Sequence, residues 1–355
     1  MPVTTPKKKA KKSSPTQAKL SDADDLISGI LGEIGGEGGA QLLGSEGLAI
    51  KIRGVISTQV PAVDAAIGRG GIPLARLTIM HGAEGSGKTT LALHCVAECQ
   101  RQNGIAIYAD KEYKLDPDYA SNIGVDTSRL IITQPPHLEK VFSTMHDVVK
   151  KAAQHREKTG VRVPILFVLD SMNAAITKAQ LEGEWTDKHM APQARVFSEL
   201  LPKIIPEISK EDIALLFISQ VRSKMNIKYG DPDDIAGGKA ARFYASLILK
   251  VVRIGDTKSD GEKIANNVRV ECVKNQISPP FKKADCKVVY GVGFDKEDSL
   301  IWLAEKHGIV QKNGSYFKHG GENIGQGMAA SALKLREDKS WYEDILKETK
   351  EKVGF

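Results

Sequence analysis

Residues 77–93 read Leu77-Thr78-Ile79-Met80-His81-Gly82-Ala83-Glu84-Gly85-Ser86-Gly87-Lys88-Thr89-Thr90-Leu91-Ala92-Leu93. From Gly82 to Thr89 this stretch matches G-x-x-x-x-G-K-[ST] at every fixed position. The flanks suit the motif. Leu77, Ile79 and Met80 make an apolar strand, and Thr90 to Leu93 begin a helix. Glycines let backbone N–H groups turn inward on phosphate oxygens, and the helix N-terminus adds its positive end. The pattern predicts a triphosphate site in which Lys88 reaches the β- and γ-phosphates and the Thr89 hydroxyl binds Mg²⁺.

Outward from the loop, short apolar runs alternate with amphipathic stretches between about Ile50 and Tyr290. Strand candidates are Leu77–Met80, Ile105–Ala109, Ile131–Thr133, Ile165–Leu169, Leu215–Ile218, Leu247–Val252, Arg269–Val273 and Lys287–Tyr290. Helical patterns follow the first, second and fourth, and another precedes the fifth. Such alternation, with strands apolar throughout, predicts an α/β fold with a mainly parallel twisted sheet covered on both faces. The last three strands have turn-rich connections and no long helix between them, which predicts an antiparallel extension. After Gly291 comes a small mixed α+β region with Trp302, Tyr316 and Phe317, ending in a helical stretch around Trp341–Val353. No fixed-period repeat is found.

The chain has 355 residues, enough for two or three folding units at about 150 residues each. Its net charge of +6 is uneven. Six lysines and no acid fall within residues 1–19, which leaves 44 basic residues against 44 acidic ones elsewhere. That segment has almost no large apolar group to offset ordering entropy, so residues 1–20 are expected to be disordered. Ser21 and Asp24 read as a cap and acidic first turn for a helix with Leu26, Ile27, Ile30, Leu31 and Ile34 on one face. The glycines at 35, 36, 38 and 39 end it. Its stripe has to dock on its own body or on a neighbouring copy, and the pattern leaves both open. No stretch approaches the roughly 18 apolar residues of a membrane span, and no apolar leader follows Met1, so a cytoplasmic protein without membrane contact is expected. The four cysteines complete no zinc set with histidine and read as buried thiols.

A second acidic element supports the phosphate loop. Ile165 to Leu169 is an apolar strand delivering Asp170, followed by Ser171, at its C-terminal end, the place for a carboxylate that holds Mg²⁺. Hydrolysis also needs a group that orients or deprotonates water. Glu112, just past the Ile105–Ala109 strand, is the candidate, with Asp110 and Asp116 as competitors. Gln220 follows the Leu215–Ile218 strand and is placed to hydrogen-bond a γ-phosphate.

These motifs, in this order, resemble the bacterial RecA recombinases and their phage-encoded relatives from about Ser57 to Ala330. Beyond the phosphate loop they comprise Ala109-Asp110-Lys111-Glu112, Leu115-Asp116-Pro117-Asp118-Tyr119-Ala120 and Leu169-Asp170-Ser171. Glu182-Gly183-Glu184 with His189-Met190, Phe217-Ile218-Ser219-Gln220-Val221-Arg222, Gly237-Gly238-Lys239 and Phe243-Tyr244-Ala245-Ser246 follow. Val273-Lys274-Asn275, Pro280-Phe281-Lys282, Tyr290-Gly291 and Ile324-Gly325-Gln326-Gly327 complete the series.

The resemblance implies a DNA-dependent ATPase that forms helical filaments on single-stranded DNA and exchanges strands with a homologous duplex in recombination and repair. It implies the organisation too: a tail over 1–20, a helix and linker packing protomer on protomer over 21–50, a RecA-type core over 51–290 and a small domain over 291–355. Glu112 would be the catalytic base and Gln220 the γ-phosphate sensor coupled to DNA loops. Gly82, Ala83, Glu84, Gly85, Ser86, Gly87, Lys88, Thr89 and Thr90 would hold ATP with Asp116, Tyr119, Asp170, Ser171 and Tyr290; Tyr119 stacks on adenine, and Thr89 and Asp170 hold Mg²⁺. Lys274 would reach the phosphate from the adjacent protomer, with Phe243 on that interface. DNA loops at about Glu182–Ala191 and Val221–Lys239 would contribute Arg195, Arg222, Lys224, Gly237, Gly238 and Lys239 to phosphates, and Met190 and Met225 between bases. Repressor or mediator proteins are further partners that the resemblance suggests.

The sequence also departs from the family. Gln276 stands where a second trans lysine is usual, and Pro202 where a basic residue is expected. The chain ends at Phe355 without the acidic tail common in bacterial members, and carries a basic N-terminal tail instead. That tail either adds non-specific DNA affinity or serves solubility or targeting. Two alternatives remain at this stage: a ring helicase or motor on the same core, and a DNA-coating protein that binds ATP with little turnover.

Overall fold

The computed structural model describes residues 20–35, 40–42, 52–184, 192–223 and 233–355. Contacts divide the chain into a unit ending at Lys51 and a unit from Ile52 to Phe355. The first unit holds helix α1 (Leu20–Ile34), on which Leu26, Ile27, Ile30 and Ile34 are exposed. Among the described residues the helix already includes Leu20, so Ser21 lies within it and is not its cap.

The second unit is built on nine strands: β1 (Leu77–Gly82), β2 (Ile105–Asp110), β3 (Leu130–Thr133), β4 (Ile165–Asp170), β5 (Ile213–Gln220), β6 (Ala245–Ser259), β7 (Glu262–Asn275), β8 (Lys283–Val289) and β9 (Gly293–Phe294). They form one sheet in the order β9-β8-β7-β6-β1-β5-β4-β2-β3. All eight expected strands lie in it. From β6 to β3 every neighbouring pair is parallel, and the pairs from β6 to β9 are antiparallel. The extension therefore begins at β6, which pairs parallel with β1 on one side and antiparallel with β7 on the other.

Strands covered on both faces alternate between two cores. Leu215 and Phe217 of β5 join one cluster with Leu77, Ile79, Phe142 and Phe197; Leu216 and Ile218 join the other with Met80, Leu91 and Val96. Helix α2 (Pro61–Ile67) and helix α3 (Lys88–Arg101) cover the second face. The first is covered by α5 (Leu138–Thr159) and α6 (Pro192–Ile208). Helix α4 (Pro117–Ile123) follows β2.

One connection differs from expectation. The 22-residue α5 follows the third strand, where no helix was expected, and buries Leu138, Val141, Phe142, Met145 and Val149 along one face. That spacing is helical, but the polar run from Lys150 to Thr159 dilutes it. After β4 the described residues hold the five-residue helix Lys178–Glu182 and then α6, in line with the two helical patterns expected between the fourth and fifth strands. Pro202 and Pro206 both lie inside α6.

Beyond β9, helices α8 (Lys296–Lys306), α9 (Gly327–Glu337) and α10 (Lys339–Val353) enclose a third cluster around Leu300, Ile301, Phe317, Leu335 and Ile345. Strands Gln311–Asn313, Tyr316–His319 and Glu322–Gln326 form a small antiparallel sheet beside it. All four cysteines are buried and free; burial pushes the Cys99 and Cys272 thiols up to about 12.

Candidate active site

Parallel pairing aligns the C-terminal ends of β1, β5, β4 and β2. Gly82 sits opposite Gln220, Asp170 opposite Ile218 and Asp110 opposite Asp170. Ligands of open α/β sheets bind at this edge, and the side chains singled out in the sequence meet there. A cavity of about 310 Å³ is lined by the loop residues Glu84, Gly85 and Gly87 to Thr90, and by Glu112, Lys114, Tyr119, Asp170, Gln220, Asn266 and Tyr290, among others.

Gly87 caps α3 with φ 97°, a left-handed conformation suited to glycine, and turns the chain directly into the helix. Lys88 folds back over the loop: its Nζ donates to the carbonyls of Gly82 at 3.0 Å and Ala83 at 2.7 Å. Burial lowers the Lys88 ammonium below its usual range, opposed by Asp170, Glu112 and Glu84. The Thr89 hydroxyl donates to Asp170 Oδ2 at 2.8 Å, and Tyr108 donates to the same oxygen at 2.7 Å. Burial raises the Asp170 carboxyl above its usual range, tempered by those two donors. Hydroxyl and carboxylate oxygens side by side at the foot of the loop are hard donors, a set that suits Mg²⁺.

Glu112 stands across from this pair. Its Oε1 accepts from Ser171 Oγ and from Gln220 Nε2, each at 2.7 Å, while its Oε2 is 3.5 Å from Lys114 Nζ. Asp110 shapes the loop that delivers it, accepting from the backbone N–H groups of Glu112, Tyr113 and Leu115. Asp116 lies at the start of α4. Its carboxylate caps α4 through the N–H groups of Asp118 and Tyr119, and it does not line the cavity. Tyr119 bonds Thr90 at 2.9 Å, and Tyr290 donates to Asn266 at 2.8 Å.

The other expected residues fall into two groups. Lys274 and Phe243 lie away from this cavity. Lys274 Nζ donates to the carbonyls of Arg242 and Phe243 at 2.8 and 3.0 Å, at the end of helix α7 (Gly238–Tyr244), and Phe243 is 73% exposed. Arg195 and Lys239 are exposed on the first turns of α6 and α7. Gly237 caps α7 with φ 86°, and a Cβ there would lie 2.8 Å from the Phe197 ring. Arg222 belongs to a short strand paired with Asp233–Asp234. Met190, Lys224, Met225 and the basic tail lie outside the described residues.

Sequence reasoning missed Tyr108, Lys114 and Asn266. Lys114 had a local signal, two residues past Glu112 in the same loop. Asn266 had none, since only the pairing of β7 with its neighbours carries it to the cavity.

The sequence matches the RecA N-terminal domain over residues 27–295 and the RecA C-terminal domain over residues 298–354. The chain belongs to the RecA family. It is 39% identical over 319 residues to Protein RecA of Acidothermus cellulolyticus, covering 90% of this chain and 89% of that one. It is likewise 39% identical over 319 residues to Protein RecA of Amycolatopsis mediterranei, and over 300 residues to that of Kineococcus radiotolerans, covering 90% and 84% of this chain and 88% and 83% of those relatives. The RecA family binds ATP and DNA and forms filaments, and this chain is a DNA-dependent ATPase, a recombinase of DNA recombination and repair. The helicase and DNA-coating alternatives are not favoured. Among the described residues no helix is long and apolar enough to cross a membrane.

Proposed function

We propose that the cavity at the sheet edge binds ATP with Mg²⁺ and that Glu112 is the base that takes the proton of the attacking water. The meeting of Glu112, Ser171 and Gln220 above the Thr89–Asp170 pair carries this reading. With one carboxylate oxygen fixed by two donors, Glu112 is oriented before substrate arrives, the requirement for efficient proton transfer. Lys88 exchanges its two loop carbonyls for phosphate oxygens, and its position at the helix start adds the dipole's positive end. Mg²⁺, when bound, neutralises charge on the phosphate oxygens. Thr89 and Asp170 are the side chains that would hold it.

Gln220 is the sensor in this scheme. Its amide donates to Glu112 while the γ-phosphate is absent, and turns to the phosphate when it is present. Tyr119 and Tyr290 flank the base of the nucleotide. Asp116, which also holds α4, and Ser171, which also holds Glu112, complete the nucleotide's contacts.

Assembly follows from what lies outside the cavity. The half-buried Lys274 and the exposed Phe243 serve a neighbouring copy's nucleotide site, and the exposed stripe of α1 packs on a neighbouring copy in a helical filament. Arg195, Arg222, Gly237, Gly238 and Lys239, with Met190, Lys224 and Met225, face single-stranded or duplex DNA. Such contacts read the backbone, so affinity falls steeply with salt.

The deciding experiment is ATP hydrolysis with Mg²⁺, with and without single-stranded DNA, followed by joint-molecule formation with a homologous duplex. Stimulated hydrolysis with joint molecules supports the proposal. Hydrolysis indifferent to DNA and to removal of Mg²⁺ overturns it.

A further inference from the structure

The backbone ladder between β4 and β5 stops at Asp170 and Ile218, two residues short of Gln220. Beyond it Met172 N still donates to the Ile218 carbonyl at 2.8 Å, but then the chain turns away. Gln220 is left without a strand neighbour on that side, and the Asn173 side chain fills the place. Asn173 Oδ1 accepts from Gln220 N at 2.7 Å, and its Nδ2 donates to Gln220 O at 3.0 Å. An amide side chain that takes both backbone groups of one residue imitates the edge of a strand. On the opposite side Gln220 lies beside Gly82, the first residue of the phosphate loop.

Asn173 has further partners, and each belongs to an element flanking a proposed DNA segment. Ser219 Oγ lies 3.2 Å from Asn173 Oδ1 and accepts from Ala236 N at 3.1 Å, immediately before Gly237. The Asn173 carbonyl accepts from Gln193 Nε2 at 3.3 Å, and the same amide donates to Ala175 O at 2.7 Å. Gln193 is in the first turn of α6, just past residues 185–191. One residue thus ties together the strand end that carries Gln220, the residue before Gly237 and the start of α6.

Resting on the functional reading above, we propose that Asn173 is a positioning residue that couples the two DNA segments to Gln220, so that their placement fixes the backbone from which the Gln220 amide reaches Glu112. Moving either segment shifts a partner of Asn173. Both bonds to the Gln220 backbone respond, and the side chain is re-aimed between Glu112 and a phosphate. The link is a contiguous set of hydrogen bonds centred on one residue, short enough for rigid transmission.

The test compares the full-length chain with Asn173→Ala, Asn173→Asp and Gln193→Ala in steady-state ATP hydrolysis with and without an oligothymidylate strand. The readout is the ratio of DNA-stimulated to unstimulated rate. Asn173→Asp is nearly isosteric and preserves the acceptor for Gln220 N, but sets an oxygen against Gln220 O, so it probes coupling even if the alanine variant folds poorly. Both Asn173 variants should lower the ratio by about tenfold, with kcat in the presence of DNA falling more than KM for ATP rises. Gln193→Ala, which cuts one arm, should lower it by a smaller factor. An unchanged ratio in a folded Asn173 variant overturns the proposal, as does an equal loss of both rates, which marks a merely structural role. An unsubstituted chain with no DNA stimulation would overturn this inference together with the functional reading beneath it.

Discussion

Gln220 Nε2 lies 2.7 Å from Glu112 Oε1, although 108 residues separate them in the chain. Parallel pairing brings the ends of β2 and β5 to the same edge of the sheet, on either side of β4. The candidate base and candidate sensor therefore share a hydrogen bond before any nucleotide binds. Neither is free to move without the other losing a partner.

Glu112→Gln keeps the shape and one acceptor oxygen, so the contacts to Ser171 and Gln220 remain possible. ATP binding and filament assembly should persist while hydrolysis slows by roughly 10²–10⁴. Single-turnover hydrolysis beside electron microscopy of filaments measures both. Loss of filaments in a normally folded protein would make Glu112 structural.

Lys88→Ala removes the one ammonium that lies within the loop itself. Hydrolysis should fall by at least about 10²-fold, in line with loss of a preorganised charge on the transferring phosphoryl group. Turnover at the parent rate would refute the site assignment.

Gln276 is exposed just past the end of β7, two residues from Lys274. Gln276→Lys should tighten ATP-dependent assembly by about two- to fivefold, the range of an exposed ion pair, and the gain should shrink in high salt. Assembly titrations at two ionic strengths test it. No change at either would make the missing lysine irrelevant.

Asp64 is buried at 3% exposure, and burial pushes its carboxyl up to about 7, opposed by hydrogen bonds from Ser57 and Thr58. Its folded-state value lies above the unfolded one, so its contribution to stability is complete below about 4 and lost as pH rises towards 7. His94 works in the other direction: burial holds it down to about 3, so its contribution is lost as pH falls below about 6.5. The two partly cancel in the parent protein and separate by substitution. The difference in Tm between the parent and Asp64→Asn should favour the parent more at pH 5 than at pH 8. A difference independent of pH would show that Asp64 does not titrate in this window.

Removing residues 1–19 deletes six lysines. If the tail binds DNA, the slope of log affinity against log salt on a single strand should become shallower by up to about 4, at about 0.7 per neutralised phosphate. An unchanged slope assigns the tail to another role.

Much of this fold can be read from local pattern. Apolar strands such as Ile165–Asp170 and Ile213–Gln220 are covered on both faces, so a continuous apolar run identifies them without regard to their partners. The phosphate loop is equally local, because a glycine-rich turn entering a helix is specified by eight consecutive residues. Helix α5 escaped because its apolar face fades over its last ten residues. Asp116 before Pro117 reads as a helix cap as readily as a nucleotide contact, and its carboxylate does cap α4. Asn173 and Asn266 carry no pattern at all. What makes them matter is a neighbour dozens of positions away, supplied by strand order.

Lys274 rests with its ammonium on two main-chain carbonyls at the close of α7, beside the uncovered ring of Phe243. To serve a neighbour's nucleotide it has to release both, so joining the next copy means trading one set of acceptors for another. On the proposed reading, an isolated subunit keeps this ammonium sheathed until an anion richer than a pair of peptide oxygens draws it out. Growth of the polymer would then be selective for neighbours that already carry a triphosphate, with a spent nucleotide too weak a lure to hold the joint.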